Sequence, residues 1–389
     1  MKTVQLFFEL IRFAIKGDKL SDRTLQGVSE EQLVSLFKLS KNHDCAHLIT
    51  YALYENKLID KEHPQYKKFV YEQSLAVFRY ENINYELEHI CKFLEDNKIQ
   101  HIPLKGSVIR ALYPEPWMRT SCDIDILVHT EDSERAIKLL TEEYSCKLDF
   151  VYDYEASLYT STNVHLELHL SLTPEHQDVA IDNVLKNVWD KSISRQGYVY
   201  SLAMADEYFY FYHLAHMAKH FGRSGCGVRP FIDLLLLDNL DDINEEKRFE
   251  LLEQGKLSQF AKVAKKLVNV WFSGDEHDEF SKEVEDFILH CGVYGNKENF
   301  SLSMQNKKGS KLGYALSRIF LNNRDLSRQF PILIKHKWLN PFCQVARWFR
   351  IIFGGGVKRS VNELKEIKNR PDDQLKQRED MMKNLGLWK

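Results

Sequence analysis

The stretch IPLKGSVIRALYPEPWMRTSCDIDILVH, Ile102–His129, decides how the chain is read. It begins with a short apolar run, passes through a Lys-Gly-Ser step and ends on two aspartates one residue apart. If Asp123-Ile124-Asp125-Ile126-Leu127-Val128 is a strand, its two-residue period puts Asp123 and Asp125 on one face and Ile124, Ile126 and Val128 on the other. Neighbouring carboxylates repel, and one pKa rises unless a metal ion or basic groups compensate. The plain alternative is an edge strand whose acids face water. Gly106-Ser107 sits where a strand turns into a helix, a place where free backbone amides and the helix dipole favour an anion. Pro114 and Pro116 end that helix, because proline cannot continue it.

Outward from this stretch, residues 1–97 carry helical signals. Ile83, Leu87, Ile90 and Leu94 recur at spacings of four, three and four, the stripe of an amphipathic helix. Beyond the aspartates, TEDSERAIKLLTEEY predicts a helix with Ala136, Leu139 and Leu140 on its apolar side. KLDFVYDY and NVHLELHLSL predict two more strands joined through STN. In the second, Val164, Leu166, Leu168 and Leu170 alternate with His165, Glu167 and His169. Helices return from 176 to 330, notably MADEYFYFYHLAHMAKHFG and FIDLLLLDNL. The expected architecture is α+β: a small mixed β-sheet core at 98–175, flanked by helical regions at 1–97 and 176–330, with an aromatic-basic helix and charged tail at 331–389.

Composition narrows the function classes. The chain has 389 residues and a net charge of −3, which excludes a globally basic nucleic-acid binder and gives no strong nucleic-acid signal. Its seven cysteines are scattered without a Cys-x-x-Cys pair, the pattern of reduced thiols in a cytoplasmic protein. Glu9 and Arg12 interrupt the apolar N-terminal run, which does not read as a signal peptide. No segment approaches the roughly 18 uncharged apolar residues of a spanning helix. KWLNPFCQVARWFRIIF is read as a core-packing helix with snorkelling arginines in preference to a membrane-surface helix, so membrane association is not expected.

Gly106-Ser107, Asp123, Asp125 and the later strand carboxylate Glu167 together form the set that magnesium-dependent phosphoryl or nucleotidyl transfer requires. This pattern resembles the polymerase-beta-like nucleotidyltransferase superfamily. PLKG, the arginine before DIDILV, LELH and the histidine-rich helix are similar, more narrowly, to the uncharacterised bacterial family called the type 5 nucleotidyltransferases, over about residues 30–240. The resemblance implies a nucleoside triphosphate donor and Mg2+, with Mn2+ as a substitute, held by Asp123, Asp125 and Glu167. These three would be the catalytic residues, with Glu167 also helping to deprotonate an acceptor hydroxyl. Gly106 and Ser107 would bind the phosphates, with Lys105 and Arg119 as candidate charge neutralisers; Lys105 equally fits a surface lysine. His213, His216 and His220 share one helix face, which reads plainly as packing on Phe209 and Phe221. The resemblance adds that this face borders a substrate cleft, along with His169, and that Arg229 and Asp233 belong to the same wall. The acceptor is left open, as are two alternatives: a nucleotide-binding module without catalysis, and a toxin-type enzyme modifying RNA or protein.

Overall fold

Five strands form the main sheet: β1 (His101–Pro103), β2 (Asp123–Val128), β3 (Lys147–Tyr152), β4 (Glu155–Tyr159) and β5 (His165–His169). Their order is β1-β2-β5-β4-β3, with β2 and β5 parallel and the other pairs antiparallel. The structure is a computed structural model and describes residues 2–152, 154–173, 178–293, 295–307, 311–327, 329–354, 362 and 372–388. A small mixed sheet flanked by helices is the α+β architecture expected from the sequence. Two strand features differ from expectation. The segment between KLDFVYDY and NVHLELHLSL holds a strand of its own, β4, which fills the position between β3 and β5. A separate antiparallel pair, β6 (Ser192–Ser194) and β7 (Leu202–Met204), lies in the region read as helical.

Alternation along β2 and β5 explains how the sheet is covered. Ile124, Ile126 and Val128 of β2 join Leu166 and Leu168 of β5 and Ala156 and Leu158 of β4 in one buried cluster. The stripe Ile83, Leu87, Ile90 and Leu94, on the helix Tyr66–Asp96, packs into the same cluster, as do Ala136 and Leu140 of the helix Ser133–Glu142. One face of the sheet is therefore sealed by helices, and the polar residues of β2 and β5 are left to the other. At the end of the long helix, the Glu95 carboxylate accepts hydrogen bonds from the amides of Val199, Tyr200 and Ser201 at 2.7, 2.8 and 2.9 Å. These bonds tie the approach to β7 onto the helix whose stripe covers the sheet.

The chain divides into two compact units, residues 1–219 with 226–294, and residues 220–225 with 295–389. The first contains both sheets and a buried ion pair. Arg119 Nε and Nη2 donate to Asp233 Oδ1 and Oδ2 at 2.7 and 2.8 Å, and Tyr113 Oη donates to Oδ1 at 2.7 Å. Burial alone would raise the Asp233 carboxyl, but the Arg119 guanidinium outweighs it and holds the pKa below the usual range. In the second unit, Leu326, Leu333 and Cys343 form a small core. The aromatic-basic segment does form a helix there, Asn340–Phe353, but only Cys343 and Gln344 among its described side chains are buried. Trp338, Phe342, Phe349 and Phe353 are exposed, so the core-packing expectation for this segment does not hold.

Removing one half of the Arg119–Asp233 pair strands the other in the interior. Asp233→Ala is expected to cost about 3–5 kcal/mol in urea unfolding, whereas the double replacement Arg119→Met with Asp233→Leu should recover most of that loss. A single replacement that unfolds at the wild-type midpoint would show the pair to be energetically idle.

Candidate active site

Parallel pairing sets the site. The register of β2 on β5 places Asp123 beside His165, Asp125 beside Glu167 and Leu127 beside His169, all on the sheet face not covered by the hydrophobic cluster. On the other side of β5, β4 places Tyr159, Ser157 and Glu155 beside the same three residues. Two overlapping groups of donor atoms result. Asp123, His165 and Glu167 offer atoms within 4.8 Å of one another, and so do Asp125, Glu167 and His169. Glu167 belongs to both.

Lys105 supplies the cation above this face. It occupies the turn between β1 and the short helix Gly106–Ile109 with φ of 47° and ψ of −123°, a conformation that L-residues avoid. Such a backbone costs on the order of 1–3 kcal/mol and persists only where surroundings dictate it. Here they do: Leu104 N donates to Asp125 O at 2.9 Å, and Lys105 Nζ donates to Asp125 Oδ1 at 2.6 Å while lying 4.0 Å from Glu167 Oε2. Its partial burial and these contacts rule out the surface-lysine reading.

The face is electrostatically uneven. Burial alone would raise Asp125, but the Lys105 ammonium outweighs it, aided by His169, whose Nε2 lies 2.7 Å from Oδ1; the carboxyl is held well below its usual range. Glu167 goes the other way. Burial and the neighbouring Asp125 charge push its pKa up to about 8, although Lys105 pulls against them. Asp123 is also raised, by burial first and by Asp125 second. His165 is fixed by Ser157, whose Oγ lies 2.8 Å from its Nε2, and by stacking on Tyr159 at a centroid distance of 4.9 Å. Asp123 and Glu167 are thus both raised by burial and by the neighbouring Asp125 charge, and oxygen donors in this arrangement suit a hard divalent cation.

The Gly106-Ser107 turn offers fewer free groups than the sequence reading supposed. Ser107 N donates to Leu104 O, and Val108 N and Ile109 N both donate to Lys105 O, so these amides are committed within the turn. The Ser107 hydroxyl, by contrast, is buried without a hydrogen-bond partner. Arg110, absent from the sequence reading, braces the turn: its Nε donates to Gly106 O at 2.8 Å and its Nη2 to Ser121 Oγ at 2.9 Å. Burial lowers its pKa to about 10, with the charge of Arg119 adding to the effect. Arg119 is itself occupied, since Asp233 takes Nε and Nη2 and the Thr120 carbonyl takes Nη1 at 2.5 Å.

The segment leading into β2 is clamped from several sides. His47 Nε2 lies 2.8 Å from Met118 O, Thr120 Oγ1 donates to Asp44 Oδ2 at 2.7 Å, and Arg229 Nη1 donates to the same Asp44 oxygen at 2.7 Å. Arg229 and Asp233 therefore meet the chain just before the aspartates. The histidine-rich helix, Asp206–Arg223, contributes differently from what its histidines suggest. His213 Nε2 lies 2.9 Å from Pro230 O, and none of His213, His216 and His220 enters either donor group among the described residues. The same helix carries Tyr212, a buried phenol whose pKa is raised by burial first and by the charges of Asp125 and Glu167, with Lys105 pulling against them. The alternation of HLELH marked His165 in the sequence, but nothing there marked Tyr212 or Arg110.

A family model described as an uncharacterised nucleotidyltransferase matches residues 29–273, more than half of the chain. That span includes β1 to β7 and every residue of the two donor groups. No curated protein and no solved structure matches the chain.

The raised Glu167 carboxyl carries a stability signature. An unfolded glutamate ionises near pH 4.3, so between that pH and about 8 the metal-free folded chain holds a proton that the unfolded chain has lost. Stability from this group is thus full below about pH 4.3 and lost as pH rises toward 8. Without metal, Glu167→Gln should match the wild type below about pH 4 and become more stable than it by up to a few kcal/mol near pH 8, at about 1.4 kcal/mol per unit of displacement. Chemical denaturation of both proteins across that range, in a chelator, checks this; a gap that does not change with pH would place the Glu167 proton elsewhere.

Proposed function

Since the chain belongs to this nucleotidyltransferase family, we propose that it transfers a nucleoside monophosphate from a nucleoside triphosphate to a hydroxyl of an acceptor, using divalent metal held by Asp123, Asp125 and Glu167. The observation that carries the reading is the shared use of Glu167 by two donor groups on one sheet face, with Lys105 of the Gly106-Ser107 turn reaching Asp125. Mg2+ suits the carboxylate oxygens, and the adjacent imidazoles of His165 and His169 are compatible with Mn2+. When bound, the metal would neutralise the triphosphate charge and lower the pKa of the attacking hydroxyl.

The chain's own residues do the rest. Ser107 receives a terminal phosphate oxygen at the turn that Arg110 and Lys105 hold in shape. Lys105, now on Asp125, is placed to share its charge with the polyphosphate. Glu167, ionised once it ligates the metal, accepts the acceptor hydroxyl's proton. Asp125, ionised under all ordinary conditions, supplies a fixed negative charge beside it. The bond that breaks lies between the α- and β-phosphoryl groups, the acceptor oxygen bonds to the α-phosphorus, and pyrophosphate departs.

Incubation with Mg2+, a lysate and a triphosphate labelled at the α-phosphorus should label an acceptor, whereas the γ-labelled compound should label none. Glu167→Gln should slow the transfer by about 100-fold or more while leaving triphosphate binding largely intact. Label arriving from the γ-position would make the protein a kinase, and unchanged transfer by Glu167→Gln would remove the base assignment.

A further inference from the structure

The second compact unit contains an apolar surface that its own small core does not use. Trp338, Phe342, Phe349 and Phe353 are 69, 67, 56 and 80% exposed, and Val345 and Ile352 are exposed with them. Their spacing is helical. At about 100° per residue, positions 342, 345, 349, 352 and 353 fall within an arc of roughly 100° on the Asn340–Phe353 helix, opposite Cys343 and Gln344, which are buried, and Trp338 lies on the turn just before it. The stripe extends sideways. Phe320 meets Trp348 edge-on at 5.4 Å, and the Trp348 indole donates to Ile319 O at 3.0 Å. This joins the helix to the end of Lys311–Ile319, a helix on which Leu312 and Leu316 are also exposed.

Charge decides what fits such a surface. Residues 326–362 contain seven lysines and arginines and no aspartate or glutamate, leaving 46 basic and 56 acidic residues in the rest of the chain. Lys335, Lys337 and Arg350 are exposed beside the stripe, and Arg350 lies over the Phe330 ring at 4.9 Å. A second copy docked face to face would bring two such cationic segments together, which opposes self-association through this patch. A nucleic acid would meet the charges but leave the aliphatic part of the stripe uncovered. Apolar and aromatic residues on one side with cations along the edge match the boundary between headgroups and acyl chains of an anionic bilayer.

We propose that the Asn340–Phe353 helix, with its preceding Trp338 turn, lies in the surface of an anionic phospholipid membrane. This reverses the expectation drawn from the sequence, because that expectation assumed the aromatic face would be buried. Among the described residues no helix is long and apolar enough to cross a membrane, and the association proposed is peripheral.

Sedimentation of the full chain with phosphatidylcholine vesicles, with and without 30% phosphatidylserine, tests the proposal. Binding is expected to the anionic vesicles, at least about ten-fold tighter than to the neutral ones, and to weaken with added salt. Phe342→Glu with Phe349→Glu should lower it at least about ten-fold, and Lys335→Glu with Lys337→Glu and Arg350→Glu should do the same while leaving the apolar stripe in place. Phe342, Phe349, Lys335 and Lys337 are exposed, so the Phe→Glu pair should melt with the wild type, and melting of the charge variant reads out any loss from the Arg350–Phe330 contact. No binding to anionic vesicles, or binding that the Phe→Glu pair does not weaken, would overturn the proposal. So would a wild-type dimer that falls apart in the Phe→Glu variant, or capture of an acidic protein by the stripe without any affinity for lipid.

Discussion

One backbone register governs the candidate active site: the parallel pairing that sets Asp125 of β2 against Glu167 of β5. A slip by a single residue on either strand would turn that strand's polar side chains into the hydrophobic cluster and its isoleucines or leucines toward solvent. The buried stripe of the Tyr66–Asp96 helix and the packing of Ser133–Glu142 enforce the register from the far side of the sheet. Burying one face is therefore what concentrates carboxylates on the other. The repulsion that follows is contained by Lys105, whose strained backbone brings an ammonium within 2.6 Å of Asp125.

Farther from the sheet, the Arg119–Asp233 pair and the Asp44–Thr120–Arg229 contacts do a different job. They hold residues 118–121, immediately ahead of β2, against helices from distant parts of the chain. A buried pair of this kind contributes little net stability compared with apolar residues of similar size. Its value lies in position, since it allows one arrangement of the segment that carries Ser121 to Arg110 and hence to the Gly106 turn. Arg119 thus bears on the Gly106 turn through Thr120 and Asp233, by placement of backbone, at the cost of its own free guanidinium.

Much of this was legible in the sequence where the signal is periodic. The alternation of DIDILV and of VHLELHL named both faces of the central strands, and the 83-87-90-94 stripe named the helix that covers them. Short elements escaped: β6 and β7 have three residues each, too few for a period to show, and β4 lies in a run read as a connection. Side-chain partnerships across long separations were equally invisible. Arg119 and Asp233 stand 114 residues apart, and Arg119 was read as a phosphate ligand because nothing local predicts its carboxylate. The aromatic-basic helix failed for another reason, since an amphipathic pattern tells which residues share a face but not whether anything covers it.

The charge state of the site ties these observations together. Lys105 donates to Asp125, and His169 bonds the same oxygen, so the lysine charge is concentrated on one carboxylate, and Glu167 and Asp123 are left with raised pKa values. A divalent cation entering between the two donor groups would displace the proton on Glu167, because a carboxylate must be ionised to ligate. It would also compete with Lys105 for Asp125, and a lysine that loses its hold on Asp125 becomes available to a polyphosphate. Metal and triphosphate would then favour each other's binding through one shared side chain. Lys105 carries the positive charge of this face, and its contact with Asp125 accounts for a non-glycine residue standing in a backbone conformation that glycine would adopt more easily.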